Sequence, residues 1–315
     1  MKIVFMGTPD FASGILEAIL SEGSHEVVGV VTVADKAAGR GMKIQKSSVK
    51  ICAENNDLLI LQPEKLRDEE FLSQLKSLQA DVFVVVAFRM LPEVVWKIPT
   101  KGTINLHASL LPQYRGAAPI NWAIINGETQ TGVTTFFINE KIDEGNMIMA
   151  EKVDILPEDN AGTLHDKLLH IGKSVVLNTL SQIESGTCKE EQQPMLSALK
   201  SAPKIMKEDC RIDWNLSVEQ IYDFIRGMSP YPAAFSNYLN TKEESIIMKI
   251  FSCKKEIIAH NIRPGTIQTD NKDFLKIACK NGYIFVEELQ LLGKKRLFIH
   301  EFLLGNKSFD NLSLH

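Results

Sequence analysis

The chain has 315 residues, 44% of them hydrophobic and 23% charged, with a formal net charge of −4. That length suits two domains with full cores, and the mild acidity argues against a generic polyanion binder. No apolar run approaches the ~20 residues of a membrane-spanning helix, so no membrane association is expected, and Met1-Lys2-Ile3-Val4-Phe5-Met6-Gly7 reads as a first strand rather than a secretion signal.

The front half alternates short apolar runs with helical patterns. Lys2–Met6, Glu26–Val33, Leu58–Leu61, Asp81–Ala87 and Gly102–Leu106 read as strands, and Phe11–Leu20, Ser47–Glu54 and Glu69–Leu75 as helices between them. Continuous apolar strands separated by helices predict an α/β fold, a doubly wound, mostly parallel sheet covered on both faces. Thr131–Ile138 and Met147–Val153 read as two further strands and Gly162–Ile183 as a long helix. Ser185 to Asp209 is polar and broken by Gly186, Pro194 and Pro203, which marks a linker. Ser217–Arg226 follows as a helix with Ser217 as N-cap, stopped by Ser229-Pro230-Tyr231-Pro232. The remainder shows short β-rich runs at Ser245–Phe251, Phe274–Ala278 and Tyr283–Leu289, the spacing of a small barrel or sandwich. The expected domains are 1–188, a linker at 189–208, and 209–315.

Charge is unevenly shared between these parts. Residues 209–315 carry 14 Lys and Arg against 13 Asp and Glu, and residues 1–208 carry 21 against 26. A near-neutral back part permits a local basic face without requiring one. Five scattered cysteines, Cys52, Cys188, Cys210, Cys253 and Cys279, include no C-x-x-C pair and predict reduced thiols in the cytoplasm.

The chemistry concentrates at Asn105-Leu106-His107. In an extended strand residues i and i+2 face the same way, so an amide and an imidazole are presented together where an apolar run ends. In parallel sheets ligands bind beyond that end of the strands. A donor beside a titratable donor can hold a developing oxyanion and move a proton. The bland alternative is a hydrogen-bonded core histidine. The loop that follows, Ser109 to Gly116 with Pro112, Arg115 and Gly116, favours function. A third group should orient the imidazole, and Asp143 in Asn139-Glu140-Lys141-Ile142-Asp143-Glu144-Gly145 is the best candidate, against a plain hairpin turn.

Elsewhere the signals are weaker. The first βα turn, Gly7-Thr8-Pro9-Asp10-Phe11-Ala12, has one glycine where a dinucleotide fingerprint needs three, and Pro9 offers no N–H to a pyrophosphate. A plain turn with proline near the first helical position is the better reading. Gly39-Arg40-Gly41-Met42-Lys43, extended by Lys46 and Lys50, is a flexible arm tipped with a guanidinium, suited to phosphate or nucleic acid, or else a solvated loop. No Cys/His cluster has metal-ligand spacing, and His165 and His170 are five apart, so no metal is expected.

Asn105-Leu106-His107 followed by Ser109-Leu110-Leu111-Pro112-x-Tyr114-Arg115-Gly116-Ala117-Ala118-Pro119 resembles the signature of folate-dependent formyltransferases. The resemblance extends through the Arg40 arm, Ser48-Val49-Lys50, Gly162-Thr163-Leu164-His165-Asp166-Lys167-Leu168 and Arg211-Ile212-Asp213-Trp214, covering nearly the whole chain. It implies the formyltransferase fold with a C-terminal OB-like β-barrel, and transfer of formyl from 10-formyltetrahydrofolate to the α-amine of initiator methionyl-tRNA. By the same resemblance Asn105, His107 and Asp143 are catalytic. Ser109, Leu110, Leu111 and Pro112, with Phe88, Arg89 and Met90, line the folate site. Arg40, Lys43 and Lys46 meet tRNA along with the C-terminal domain. No obligate protein partner is implied, and a monomer is expected.

One departure stands out: Phe88-Arg89 occupies a loop where many relatives carry Tyr-Gly, and Arg89 cannot cheaply replace a glycine that needs positive φ. The rival within the family is a sugar-nucleotide amine formyltransferase, against which the basic arm argues. A glycinamide ribonucleotide enzyme should lack residues 209–315, and a formyltetrahydrofolate hydrolase would share the site but transfer to water. From another class, a non-catalytic RNA-binding protein on this scaffold is opposed by the presence of Asn105, His107 and Asp143 together.

Overall fold

The computed structural model describes residues 1–38, 43–239, 243–306, 309 and 312–314. The chain packs as two compact units, one of Met1–Gly116, Thr131–Asp154 and His165–Ser201, the other of Ala117–Gln130, Ile155–Leu164 and Ala202–His315. Residues 189–201 therefore pack with the first unit and residues 117–130 with the second.

The first unit is built on a seven-stranded sheet. Its strands lie side by side in the order Met147–Asp154, Gln130–Phe137, Thr103–His107, Val82–Val86, Lys2–Gly7, Glu26–Val31 and Ile60–Leu61. From Thr103–His107 to Ile60–Leu61 every pairing is parallel. All five residues of Val82–Val86 are buried, as expected for β-branched side chains in a sheet covered on both faces. Helices Asp10–Glu22 and Glu69–Ser77 supply the covering layers. The first ends at Gly23 in the left-handed conformation that glycine adopts without strain, and Asp68 caps the second through the Phe71 amide. Phe5, Phe83 and Phe136 are the bulkiest fully buried side chains, and they fill the core beside the central strands.

Gln130–Phe137 runs antiparallel to Thr103–His107, pairing Asn105 with Phe136 and His107 with Thr134. This mixed edge carries the second half of the site. Pro9 proves to be the N-cap of the first helix, one position before the helix begins, because its fixed φ suits either place.

In the second unit helix Val218–Met228 begins with a capping box in which Ser217 and Gln220 satisfy each other's backbone amides. It packs against helix Pro119–Ile125, where a Cβ on Gly227 would meet Ile125 at 2.6 Å. Its apolar face lies on a curled antiparallel sheet in the order Ala234–Leu239, Ser245–Ile257, Gly282–Leu291, Leu275–Cys279, Ile267–Thr269, with Arg296–Phe298 also on Gly282–Leu291. Bridges from Leu314 to Tyr238 and from Ser313 to Thr266 connect the two edges. The Trp214 indole N–H, buried in this core, donates to Ser236 at 2.8 Å.

Several elements differ from expectation. Lys36–Ala38 and Lys43–Gln45 pair as two short antiparallel strands that the sequence does not show, while residues 39–42, the tip of the expected flexible arm, lie outside the described residues. Helix Pro119–Ile125 is too short to show a helical period, and strand Ala234–Leu239 does not alternate, its first three residues all being buried. Ile299–Gly305 is a helix that the sequence reading does not include, its Phe302 and Leu303 buried just after Glu301, whose carboxylate accepts the Phe298 amide. Among the described residues no helix is long and apolar enough to cross a membrane.

Candidate active site

Asn105 and His107 close the strand Thr103–His107 at its carboxyl end, with His107 buried and Asn105 half-buried. His107 Nε2 lies 2.8 Å from the Tyr114 carbonyl. A carbonyl can only accept, so Nε2 carries the hydrogen and the ring's orientation is fixed from that side. Nδ1 then points toward Asp143, whose Oδ2 stands 3.8 Å away. That is an ion-pair distance and too long for a hydrogen bond. Free sites commonly tighten only with substrate bound.

Asp143 reaches this place through a backbone that the spacing of the sequence could not reveal. It has φ 54, a left-handed conformation that aspartate tolerates better than most residues. Oδ2 accepts the Gly116 amide at 2.9 Å. Two residues on, a Cβ at Gly145 would lie 1.6 Å from the Phe137 carbonyl, so the segment crosses the strand end at a distance only glycine allows. Tyr114 is also left-handed, at φ 58, which turns its carbonyl onto His107 while its amide donates to Lys200. Such residues cluster where surrounding structure holds a site in place.

The residues expected at the folate site divide. Ser109, Leu111 and Pro112 are buried, and Leu111-Pro112 is a cis peptide. The Ser109 hydroxyl donates to the Gln113 carbonyl. Leu110, half-buried, packs so closely on Gly132 that a Cβ there would be 2.6 Å away. Thr134, opposite His107, ties the loop down by donating to the Ser109 carbonyl at 2.7 Å and accepting the Leu111 amide at 3.2 Å. What this segment can offer a ligand is therefore mainly backbone.

At the other loop Phe88 packs on the core, Met90 is 69% exposed, and Arg89 turns away to donate to the carbonyls of Glu64 and Pro63. The residue with positive φ is Ala87, at 45°, and not Arg89. The chain thus accommodates an arginine by placing the strained position two residues earlier. Burial holds the Arg89 guanidinium below its ordinary value, and its Nε has no hydrogen-bond partner among the described residues.

Of the residues expected to meet tRNA, Arg40 lies outside the described residues. Lys43 begins the second of the two short paired strands, and Lys46 is held by both carboxylate oxygens of Glu54, at 2.9 and 2.8 Å. Among the described residues no group of three or more His, Cys, Asp or Glu could hold a metal ion.

Thr134, Tyr114 and Gly116 carried no site role in the sequence reading. Tyr114 and Gly116 stand in the loop that follows His107, but they act through a backbone carbonyl and amide, and Thr134 acts across strands, which leaves no local pattern.

An imidazole and an amide thus stand together at the end of a parallel strand, faced by a carboxylate, on an α/β scaffold. The formyl transferase family model matches residues 1–180 and the formyl transferase C-terminal domain model residues 204–307. The chain belongs to the formyl transferase family. It is 53% identical over 308 residues to the methionyl-tRNA formyltransferase of Bacteroides fragilis, covering 97% of this chain and 95% of that one. It is 52% identical over 315 residues to the methionyl-tRNA formyltransferase of Flavobacterium johnsoniae, covering 100% and 99%. Among solved structures it resembles HypX from Aquifex aeolicus in complex with tetrahydrofolic acid, with TM-score 0.65 and 19% identity over 96% of this chain. The chain spans about half the length of HypX, 47%. It also resembles WlaRD, a sugar 3N-formyl transferase, with TM-score 0.62 and 20% identity over 94% of this chain and 99% of that one. At those identities the likeness is one of fold.

Proposed function

We propose that this chain transfers the formyl group of 10-formyltetrahydrofolate to the α-amine of methionine carried by initiator tRNA, and so supports translation initiation. The carrying observation is identity of 53% and 52% to two methionyl-tRNA formyltransferases along almost the entire chain, with Asn105, His107 and Asp143 arranged as above. An enzyme for a sugar-nucleotide amine is the weaker reading, since its support is a likeness at 20% identity.

The amine is its own nucleophile, so the protein's work is alignment and charge. As the amine adds to the formyl carbon, negative charge grows on the formyl oxygen. Asn105 provides a neutral donor to it from the strand face shared with His107. His107, anchored through Nε2–H on Tyr114, keeps Nδ1 for the moving proton, and Asp143 stabilises the imidazolium that results. The proton leaves the amine as the bond to the folate nitrogen breaks, and that nitrogen takes a proton in turn. Backbone atoms of 109–112, and the loop at Phe88, Arg89 and Met90, hold the folate, which enters as substrate. Residues 1–188 carry the chemistry, 189–208 connect, and 209–315 meet tRNA together with Arg40, Lys43 and Lys46. All three reacting groups come from one chain, so a monomer suffices, and five free cysteines fit a reducing cytoplasm.

A formylation assay on charged initiator and charged elongator methionyl-tRNA tests this. Strong preference for the initiator species is expected, and turnover of a sugar-nucleotide amine with neither tRNA used would overturn it.

A further inference from the structure

The Asp143 segment is held by a side chain from the stretch that reads as a linker. Gln193 Nε2 donates to the carbonyls of Asp143 at 2.8 Å and Gly145 at 2.9 Å. Its Oε1 accepts from Arg115 twice, from Nε at 3.1 Å and Nη2 at 2.6 Å. Arg115 Nη1 in turn lies 3.2 Å from Glu144. One carboxamide therefore uses both its hydrogens on the backbone that flanks Glu144, and its oxygen on the residue next to Gly116, the Asp143 partner. The group is neutral, which matters here. A carboxylate could accept from Arg115 but would repel the two carbonyls, and an ammonium could not accept at all.

We infer that Gln193 is a positioning residue for the transfer step, locking residues 143–145 so that the Asp143 carboxylate stays against His107. This rests on the catalytic reading of Asp143 above. Left-handed Asp143 has alternatives within easy reach, and releasing its carbonyl frees it to take them. Misplacing a group by ~1 Å can cost on the order of a hundredfold in rate. The bridge also gives the segment after the long helix a task in the chemistry.

The test is steady-state formylation by Gln193→Met and Gln193→Glu, each also made in an Asp143→Ala background. The Met variant should lower kcat by about ten- to a hundredfold while KM for each substrate stays within about threefold. The Glu variant should fail to rescue, although it still satisfies Arg115. In the Asp143→Ala background Gln193→Met should cost less than about twofold, because the group it positions is gone. Full activity of Gln193→Glu, or an equal loss in both backgrounds, would overturn the inference. So would unfolding of both variants at assay temperature, which would make the role purely structural. Near wild-type turnover by Asp143→Ala would instead overturn the reading of the site.

Discussion

The Gly116 amide donates to the Asp143 carboxylate at 2.9 Å, from the end of the same loop whose Tyr114 carbonyl receives His107. One loop thus sets both members of the pair that stand 3.8 Å apart. Gly116 does this at φ 126, where a residue with a Cβ is strained. Gly116→Ala should rotate the amide away, lowering kcat by about tenfold or more with a smaller change in KM. Steady-state kinetics decide it, and unchanged kcat would remove this hydrogen bond from the mechanism.

His107 is 6% exposed, with Nε2 satisfied inside the protein, so truncating it empties a small buried volume as well as removing the proton carrier. His107→Ala should reduce formylation by about a hundredfold or more, the range in which general acid–base and oxyanion groups contribute. Binding of charged tRNA, followed by filter retention, should not change. His107→Gln keeps a donor without the titration, and partial recovery would assign more of the effect to the oxyanion than to proton transfer.

Much of the scaffold was legible because its strands are buried on both faces. Runs such as Val82–Val86 have no other plausible place than the middle of a parallel sheet. Asn105 and His107 were legible for a related reason, since an i, i+2 pair at the end of such a run has a known direction. The partner of His107 was harder. Asp143 lies beyond the antiparallel strand Gln130–Phe137, and whether it meets His107 depends on a register that spacing does not encode. Gln193 was hidden in a different way. Its neighbours Glu190, Glu191, Gln192 and Pro194 have the composition of a solvated linker, and four hydrogen bonds by one amide leave no trace in composition. The helix Ile299–Gly305 escaped because two buried residues on a single turn cannot show a period.

All five cysteines are free and four of them are buried. Burial pushes the Cys52 thiol up to about 11 and the Cys279 thiol to about 12, and raises Cys253 and Cys210 as well. Cys188, half-buried, is raised by burial and then by the Glu190 carboxylate, yet it alone offers access. At pH ~8 a maleimide should therefore label Cys188 first and the other four only with unfolding, since the thiolate is the reacting form and needs to be reached. Mass spectrometry of peptides from native and urea-treated protein would show it. Early labelling at Cys253 would contradict the packing of the second unit.

Asp35 stands at the root of the Lys36–Ala38 strand, where Lys50 Nζ donates to it at 2.6 Å and Gln62 Nε2 at 3.0 Å. Gln62 also donates to the Val33 carbonyl and accepts from Lys50, so the three side chains close a ring of hydrogen bonds between the end of strand Glu26–Val31 and helix Ser48–Asn55. The Lys50 hydrogen bond, and then that of Gln62, hold the Asp35 carboxyl below the ordinary aspartate value. A group lowered in the folded state stabilises that state above its unfolded pKa and loses the contribution as pH falls through the folded one. The wild-type chain should thus exceed Asp35→Asn in Tm by a constant margin from neutral pH down to about 5, and the margin should shrink below about 3.9, the aspartate value in an unfolded chain. Thermal melts of both proteins at several pH values measure this. A margin that grows on acidification would mean that Asp35 is held by something other than its charge.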